Sequence, residues 1–304
     1  MRRILIVLFV AALPLLADPS TLLAPSFARE GDVYPVLITR ASGPLTAVLV
    51  SEVGSALAAS PLLPLEGTRR TLYGFLAVPP GYGSSTASLM VRDGGGMVLI
   101  SRRVTLLPRT YRKEEIPLTP GLTQIRTDQS ERRIREAREL SDLLFTVSPD
   151  APGLSSLWFL PVSEGRFSSW FGDERLYRYA NGGTDSSRHT GVDIAAPEGT
   201  PVHVPARAVV VLVRDRIVTG RTVVLRHGPG IYSLYYHLSS IAVEEGDEVE
   251  PGDLLGTVGS TGLATGAHLH WEVRVQGVPV DPLALVGGSL LDKLRELLIM
   301  EGRS

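Results

Sequence analysis

Apolar and β-branched residues recur in short runs along the first third of the chain, and the stretches 33–39, 47–53 and 72–78 each read as a strand. Two further runs, 89–92 and 98–101, flank Asp93-Gly94-Gly95-Gly96, whose glycines supply the positive φ angles of a tight hairpin turn. Strands of this length with short turns predict a small immunoglobulin-like β-sandwich over 27–118. The period then becomes helical over 127–147. Ile134, Ala137, Leu140 and Leu144 form one apolar stripe, Asp128 and Glu131 stand at capping-box spacing, and Glu131 can pair with Arg135 at i,i+4. Pro149 and Pro152 end this linker helix, a second β-rich unit covers 157–287, and Ser289 with Asp292 begins a short helix at 289–300. The expected fold class is therefore mainly β, in two units joined by a helix.

The first residues carry a separate signal. Met1, Arg2 and Arg3 precede an apolar run at 4–16, and Ala17 stands before polar Asp18, the pattern of an export signal over 1–17. The run is shorter than the roughly 20 residues that span a bilayer, so no stable membrane span is expected once it is removed. Localisation to the periplasm, the cell envelope or the extracellular space follows. The remaining composition mainly excludes. With 30 basic and 32 acidic side chains in 304 residues, no charge excess favours nucleic acid. Cysteine is absent, which removes disulfides, thiolate metal sites and thiol nucleophiles together and leaves any metal to histidine and carboxylate.

All six histidines, at 189, 203, 227, 237, 268 and 270, fall in the second β-rich unit. Alternate side chains of a strand share a face, so His189 and Asp193 point the same way, with Gly191 between them leaving room for an ion. The same alternation puts His268 and His270 on one face, and Ser233, Tyr235 and His237 on another strand's face. Three ligands drawn from these residues, with an open fourth position, are what catalytic zinc requires. His203 and His227 lie outside the pattern and read as structural, while Tyr235 is open between packing and substrate contact.

From 165 to 285 the chain resembles the lysostaphin-type, or LytM-like, zinc metalloendopeptidases. The resemblance rests on Phe171-Gly172, on HxxxD at His189 to Asp193 followed by Ile194-Ala195-Ala196-Pro197, and on Leu234-Tyr235-Tyr236-His237-Leu238. It continues through Gly246-Asp247, Gly256-Thr257-Val258-Gly259-Ser260-Thr261-Gly262, HxH at His268 to His270, and Pro282. It implies a layered β-hairpin domain, the duplicated hybrid or barrel-sandwich-like arrangement. It also implies one Zn2+ held by His189, Asp193 and His270, with His237 and His268 unligated beside a zinc-bound water. The implied activity is hydrolysis of peptide cross-links in bacterial peptidoglycan, with stem or bridge peptides as substrate. Two departures stand out: Ala208 replaces a usual glycine, and the loop at 173–188 is longer than in minimal members.

Two rival readings compete with this one. The acidic hairpin at 245–253 is similar to those of biotinyl and lipoyl carriers, but such carriers need a lysine, and 165–285 contains none. The other rival is a non-cleaving peptidoglycan-binding activator of another wall hydrolase; such proteins lack ligands that this chain retains. The N-terminal unit carries no histidine and is expected to act as a spacer, or to dock a cell-envelope protein.

Overall fold

The computed structural model describes residues 20–68, 70–149 and 152–301, so the expected export signal at 1–17 lies outside the described residues. The N-terminal half forms one hydrogen-bonded path of eight strands. In spatial order these are Thr21–Leu23, Val33–Thr39, Leu72–Ala77, Ala56–Pro64, Leu45–Ser51, Thr86–Asp93, Val98–Leu107 and Phe27–Arg29. Ala56–Pro64 pairs with Leu45–Ser51 through residues 56–62 and with Leu72–Ala77 through 63–64, so it passes from one group of strands to the other. Val36, Leu49, Leu89 and Leu106 fill its core. The predicted turn at 93–96 forms as its chemistry requires: the Asp93 carboxylate accepts the amides of Gly95 and Met97, each at 2.9 Å, and Gly96 sits at φ +86°.

The chain then crosses to the second half as a strand. Lys113–Pro117 pairs in parallel with Glu174–Arg178, which pairs antiparallel with Thr184–Arg188. The long 173–188 loop is thus a hairpin carrying a third strand from the preceding segment. Two helices follow instead of one: α1, Pro120–Thr127, is capped by Thr119, and α2, Glu131–Leu144, is capped by Ser130. The Asp128–Glu131 capping box does not form, because the Asp128 carboxylate ends α1 and accepts the Ser130 amide at 2.6 Å.

The second half is built on a twisted sheet in the order Arg166–Ser169, Gly191–Ala195, His268–Val275, Ile231–Leu238, Gly220–Gly228, Ala208–Arg216 and Glu248–Val249. One face buries Val192, Ile194, Val223, Tyr235, Trp271 and Val273. The same core takes in Val33, Leu37 and Phe75 of the N-terminal half and Leu290, Leu294 and Leu297 of the C-terminal helix α3, Leu290–Glu301. The two β units therefore share one core. On the other face, Leu140, Leu143 and Leu144 of α2 cover Leu212, Tyr232, Leu234 and Tyr236. Full burial of a leucine is worth roughly 1.5–3 kcal/mol, so Leu144 is the residue whose loss most loosens α2. The Ser289–Asp292 cap forms as expected, with Ser289 Oγ accepting the Asp292 amide at 3.1 Å. Among the described residues, no helix is long and apolar enough to cross a membrane.

Candidate metal centre

Strand register brings distant residues into rows. Ser169 stands opposite Asp193, Asp193 opposite His270, and His270 opposite Tyr236, so these four side chains form one line across four strands. His189 enters from the end of the 173–188 hairpin, its backbone held by the Asp173 carbonyl at 2.8 Å and by the Gly172 amide at 2.8 Å. His189 Nε2, Asp193 Oδ1 and His270 Nδ1 then make a triangle with edges of 3.1, 3.0 and 2.9 Å. All three residues are buried.

The hydrogen-bond inventory of the triangle tests whether a metal suits it. His189 Nδ1 meets the Trp170 carbonyl at 2.9 Å and must donate to it, which leaves Nε2 with a bare lone pair. His270 Nε2 donates to Glu272 at 3.3 Å, which leaves Nδ1 bare as well. Two imidazole lone pairs and a carboxylate oxygen thus converge on one point, and a cation satisfies all three at once. The surrounding charges agree. Burial lowers the pKa of His270, but Asp193 and Glu272 raise it further, so the pocket favours positive charge there. Burial raises that of Asp193, yet the two imidazoles more than offset this and hold its carboxyl well below the usual range.

His237 and His268 flank the triangle, their rings 4.8 Å apart. Each donates Nδ1–H to a backbone carbonyl, of Thr261 and Gly266 respectively, both at 2.8 Å, and so presents Nε2 toward the site. His268 Nε2 is 3.8 Å from Asp193 Oδ1. Burial, with the neighbouring imidazoles adding to it, pushes the pKa of His237 down to about 3, so its ring is neutral at ordinary pH. Tyr236 stacks flat on His270 with ring centres 5.0 Å apart.

Two expectations from alternation need correction. Tyr235 does not reach the site: it is fully buried on the core face opposite Trp271, with its hydroxyl 2.9 Å from Ser233 Oγ. The cause is a bulge, in which Tyr236 and His237 together oppose Thr222, with His237 in the left-handed region at φ +63°. The bulge reverses the alternation, placing His237 beside Tyr236 on the metal-centre face. The second correction concerns Gly191. A Cβ there would lie 2.3 Å from the Trp271 carbonyl oxygen, so the glycine admits the neighbouring strand, and the ion's space owes nothing to it.

His203 and His227 stand apart from the centre. His203 Nδ1 meets the Gly252 carbonyl at 3.0 Å, and His227 is fully buried between the Arg207 carbonyl and Ser233 Oγ. Sequence reasoning missed Arg175, Glu114 and Glu272. Arg175 is ion-paired to Asp193 Oδ2 and, at 3.3 Å, to Glu114. Glu272 was within reach of the pattern, because the His268–His270 alternation continues to it. A cleft of about 370 Å³ opens over the centre, lined by Asp193, His237 and His268 and walled by Glu114, Ile116, Arg166 and Leu263.

The family model for peptidase family M23 matches residues 187–282. The DD-carboxypeptidase/endopeptidase Mpg of Neisseria meningitidis serogroup B is 45% identical over 97 residues, which are 32% of this chain and 22% of that protein. The peptidoglycan DD-endopeptidase ShyA of Vibrio cholerae is 40% identical over 121 residues, covering 40% of this chain and 27% of its own length. The chain thus spans about a quarter of these relatives or less. A crystal structure from Pseudomonas aeruginosa, provisionally assigned to peptidase M23, superposes with a TM-score of 0.58 at 28% identity, over 85% of this chain and 94% of the other. That likeness extends the mainly β fold to both halves. The His189, Asp193 and His270 triangle falls inside the matched segment, and residues 187–282 are a peptidase family M23 domain.

Proposed function

We propose that this protein is an exported zinc metalloendopeptidase that hydrolyses peptide cross-links of bacterial peptidoglycan. The observation that carries the reading is the convergence of three bare ligand atoms, from His189, Asp193 and His270, beside an open cleft that Asp193, His237 and His268 line. A zinc ion held there supplies a Lewis acid that polarises a peptide carbonyl and acidifies a water. His237, neutral and with Nδ1 committed to Thr261, offers Nε2 to take a proton from the attacking water. His268, on the cleft side of the centre, likewise presents Nε2, and the proton that an imidazole of this pair accepts from the water is the one it then gives to the leaving amine. Glu272 and the Trp170 carbonyl hold the two ligand imidazoles in the tautomers that face the ion.

The wall-peptide substrate is supported by the relatives named as DD-endopeptidases, and by a cleft whose volume suits a few peptide residues. Export is supported by the charged start and apolar run at 1–17. The test is to measure bound zinc and to incubate the protein with purified peptidoglycan of several wall types, identifying released fragments by mass spectrometry. New peptide termini are expected from the native protein and not from Asp193→Ala. Zinc binding with no cleavage of any wall type sinks the catalytic reading and leaves the non-cleaving activator in its place.

A further inference from the structure

Asp193 offers only one of its oxygens to the metal centre. Oδ1 faces His189 and His270, while Oδ2 is engaged by the Arg175 guanidinium. Arg175 is largely buried and does not reach Asp193 unaided. It stands opposite Glu114 in the parallel pairing of Lys113–Pro117 with Glu174–Arg178, and Glu114 Oε2 accepts from both Arg175 Nε at 3.3 Å and Ser169 Oγ at 2.8 Å. Ser169 in turn stands opposite Asp193 and lies 3.3 Å from His189 Nδ1. Glu114 comes from the segment that precedes the matched family domain, and Arg175 from the hairpin that precedes His189.

From this geometry we infer that Arg175, anchored by Glu114, is a positioning residue that fixes Asp193 as a one-oxygen ligand, so that the strand Lys113–Pro117 is a working part of the metal centre. This rests on His189, Asp193 and His270 holding a metal. The physical reason is geometric. A carboxylate with both oxygens free swings between one- and two-oxygen coordination, and a charge-assisted hydrogen bond on Oδ2 removes the second mode. It also keeps a cation in contact with the ligand's outer oxygen, partly neutralising Asp193, so the metal binds a carboxylate that is held in place at some cost in basicity. Positioning outweighs that cost.

The experiment uses the full chain and four variants: Arg175→Ala, Arg175→Lys, Glu114→Gln and Arg178→Ala. Arg178 joins the same two strands through Glu115 but touches no metal ligand, so its variant reports strand pairing alone. Zinc affinity is read by competition with a chelator, and ligand geometry by the visible absorption of the cobalt(II)-loaded protein. Arg175→Ala is expected to lose about ten- to a hundred-fold in zinc affinity, the usual scale for a partner of a metal ligand, and to change the cobalt spectrum toward higher coordination. Arg175→Lys should recover part of the affinity, Glu114→Gln should fall between native and Arg175→Ala, and Arg178→Ala should match native. Native affinity and spectrum in Arg175→Ala overturn the inference, as does an equal loss in Arg178→Ala or a gain in affinity on removing Arg175. If the native protein binds no zinc at all, the metal-centre reading itself fails, which is a different result.

Discussion

Gly191→Ala probes how closely the strands that carry Asp193 and His270 approach. An added Cβ would sit 2.3 Å from the Trp271 carbonyl oxygen, 3.0 Å from its carbon and 3.1 Å from Glu272 Cα, all backbone atoms with no side chain to swing aside. Ordinary contact between such atoms is about 3.5 Å, so the strands must part locally by roughly 1 Å. Overpacking of this kind costs about 1–3 kcal/mol, which for a domain of this size lowers the unfolding midpoint by roughly 3–10 °C. The same displacement falls at the Gly191–Glu272 pair, two positions from the Asp193–His270 pair whose ligand atoms are 2.9 Å apart. Metal sites tolerate errors of only about 0.2 Å, so zinc affinity should drop at least about ten-fold. Thermal unfolding with and without chelator, together with zinc titration, measures both effects. A Gly191→Ala protein that melts with the native one and binds zinc as tightly would refute the close-approach argument and return the glycine to clearing space for the ion.

Three further outcomes follow from the same geometry. Tyr235→Phe removes a hydroxyl 2.9 Å from Ser233 in the core, so it should cost about 1 kcal/mol of stability and leave KM for wall peptides unchanged; a shifted KM would put Tyr235 back in the groove. His227 is buried and neutral, its pKa pushed down to about 3 against about 6.5 in the unfolded chain. The unfolded state therefore binds the extra proton, and the contribution of His227 is complete above pH 6.5 and lost progressively as pH falls toward 3, at up to about 1.4 kcal/mol per unit. Between pH 6.5 and 5.0, chelator-treated His227→Gln should lose up to about 2 kcal/mol less than native in urea unfolding, and equal losses would contradict the assignment. Arg166 is exposed on the cleft wall, so Arg166→Ala should raise KM several-fold for peptides bearing free carboxylates and leave their amidated counterparts unaffected.

The legible part of the metal centre was that governed by strand alternation. HxxxD and HxH each place their polar groups on one face because a strand has period two, and the Asp193–His270 register then brings the two motifs together. Alternation failed where the backbone departs from it. The bulge at Tyr236–His237 needs a histidine with positive φ, a conformation that residue type does not announce, and so alternation alone puts Tyr235 on the same face as His237. Helix stripes were similarly partial: Leu140 and Leu144 pack as predicted, whereas Ile134 is exposed, because the N-terminal turns of α2 meet the sheet through polar contacts, Arg132 with the Asp215 carbonyl and Glu136 with Arg216 and Ile217. Glu114 and Arg175 lie 61 residues apart in sequence and meet through a parallel pairing that no local pattern encodes.

That pairing changes what the N-terminal half contributes. Composition alone suggests a spacer ending near residue 118, removable without consequence for chemistry. A cut there would remove Lys113–Pro117, leaving Glu174–Arg178 with an unpaired edge and Arg175 without Glu114, while a cut ahead of Lys113 spares both. Either cut exposes the core that Val33, Leu37 and Phe75 share with the second half, at roughly 1.5–3 kcal/mol for each large side chain uncovered. The first cut should therefore lose zinc affinity as well as stability, and the second mainly stability. Comparing the two truncations by zinc titration and thermal unfolding separates the strand's effect on the metal centre from the shared core's effect on the fold. Equal zinc affinity in both would mean that Lys113–Pro117 only packs.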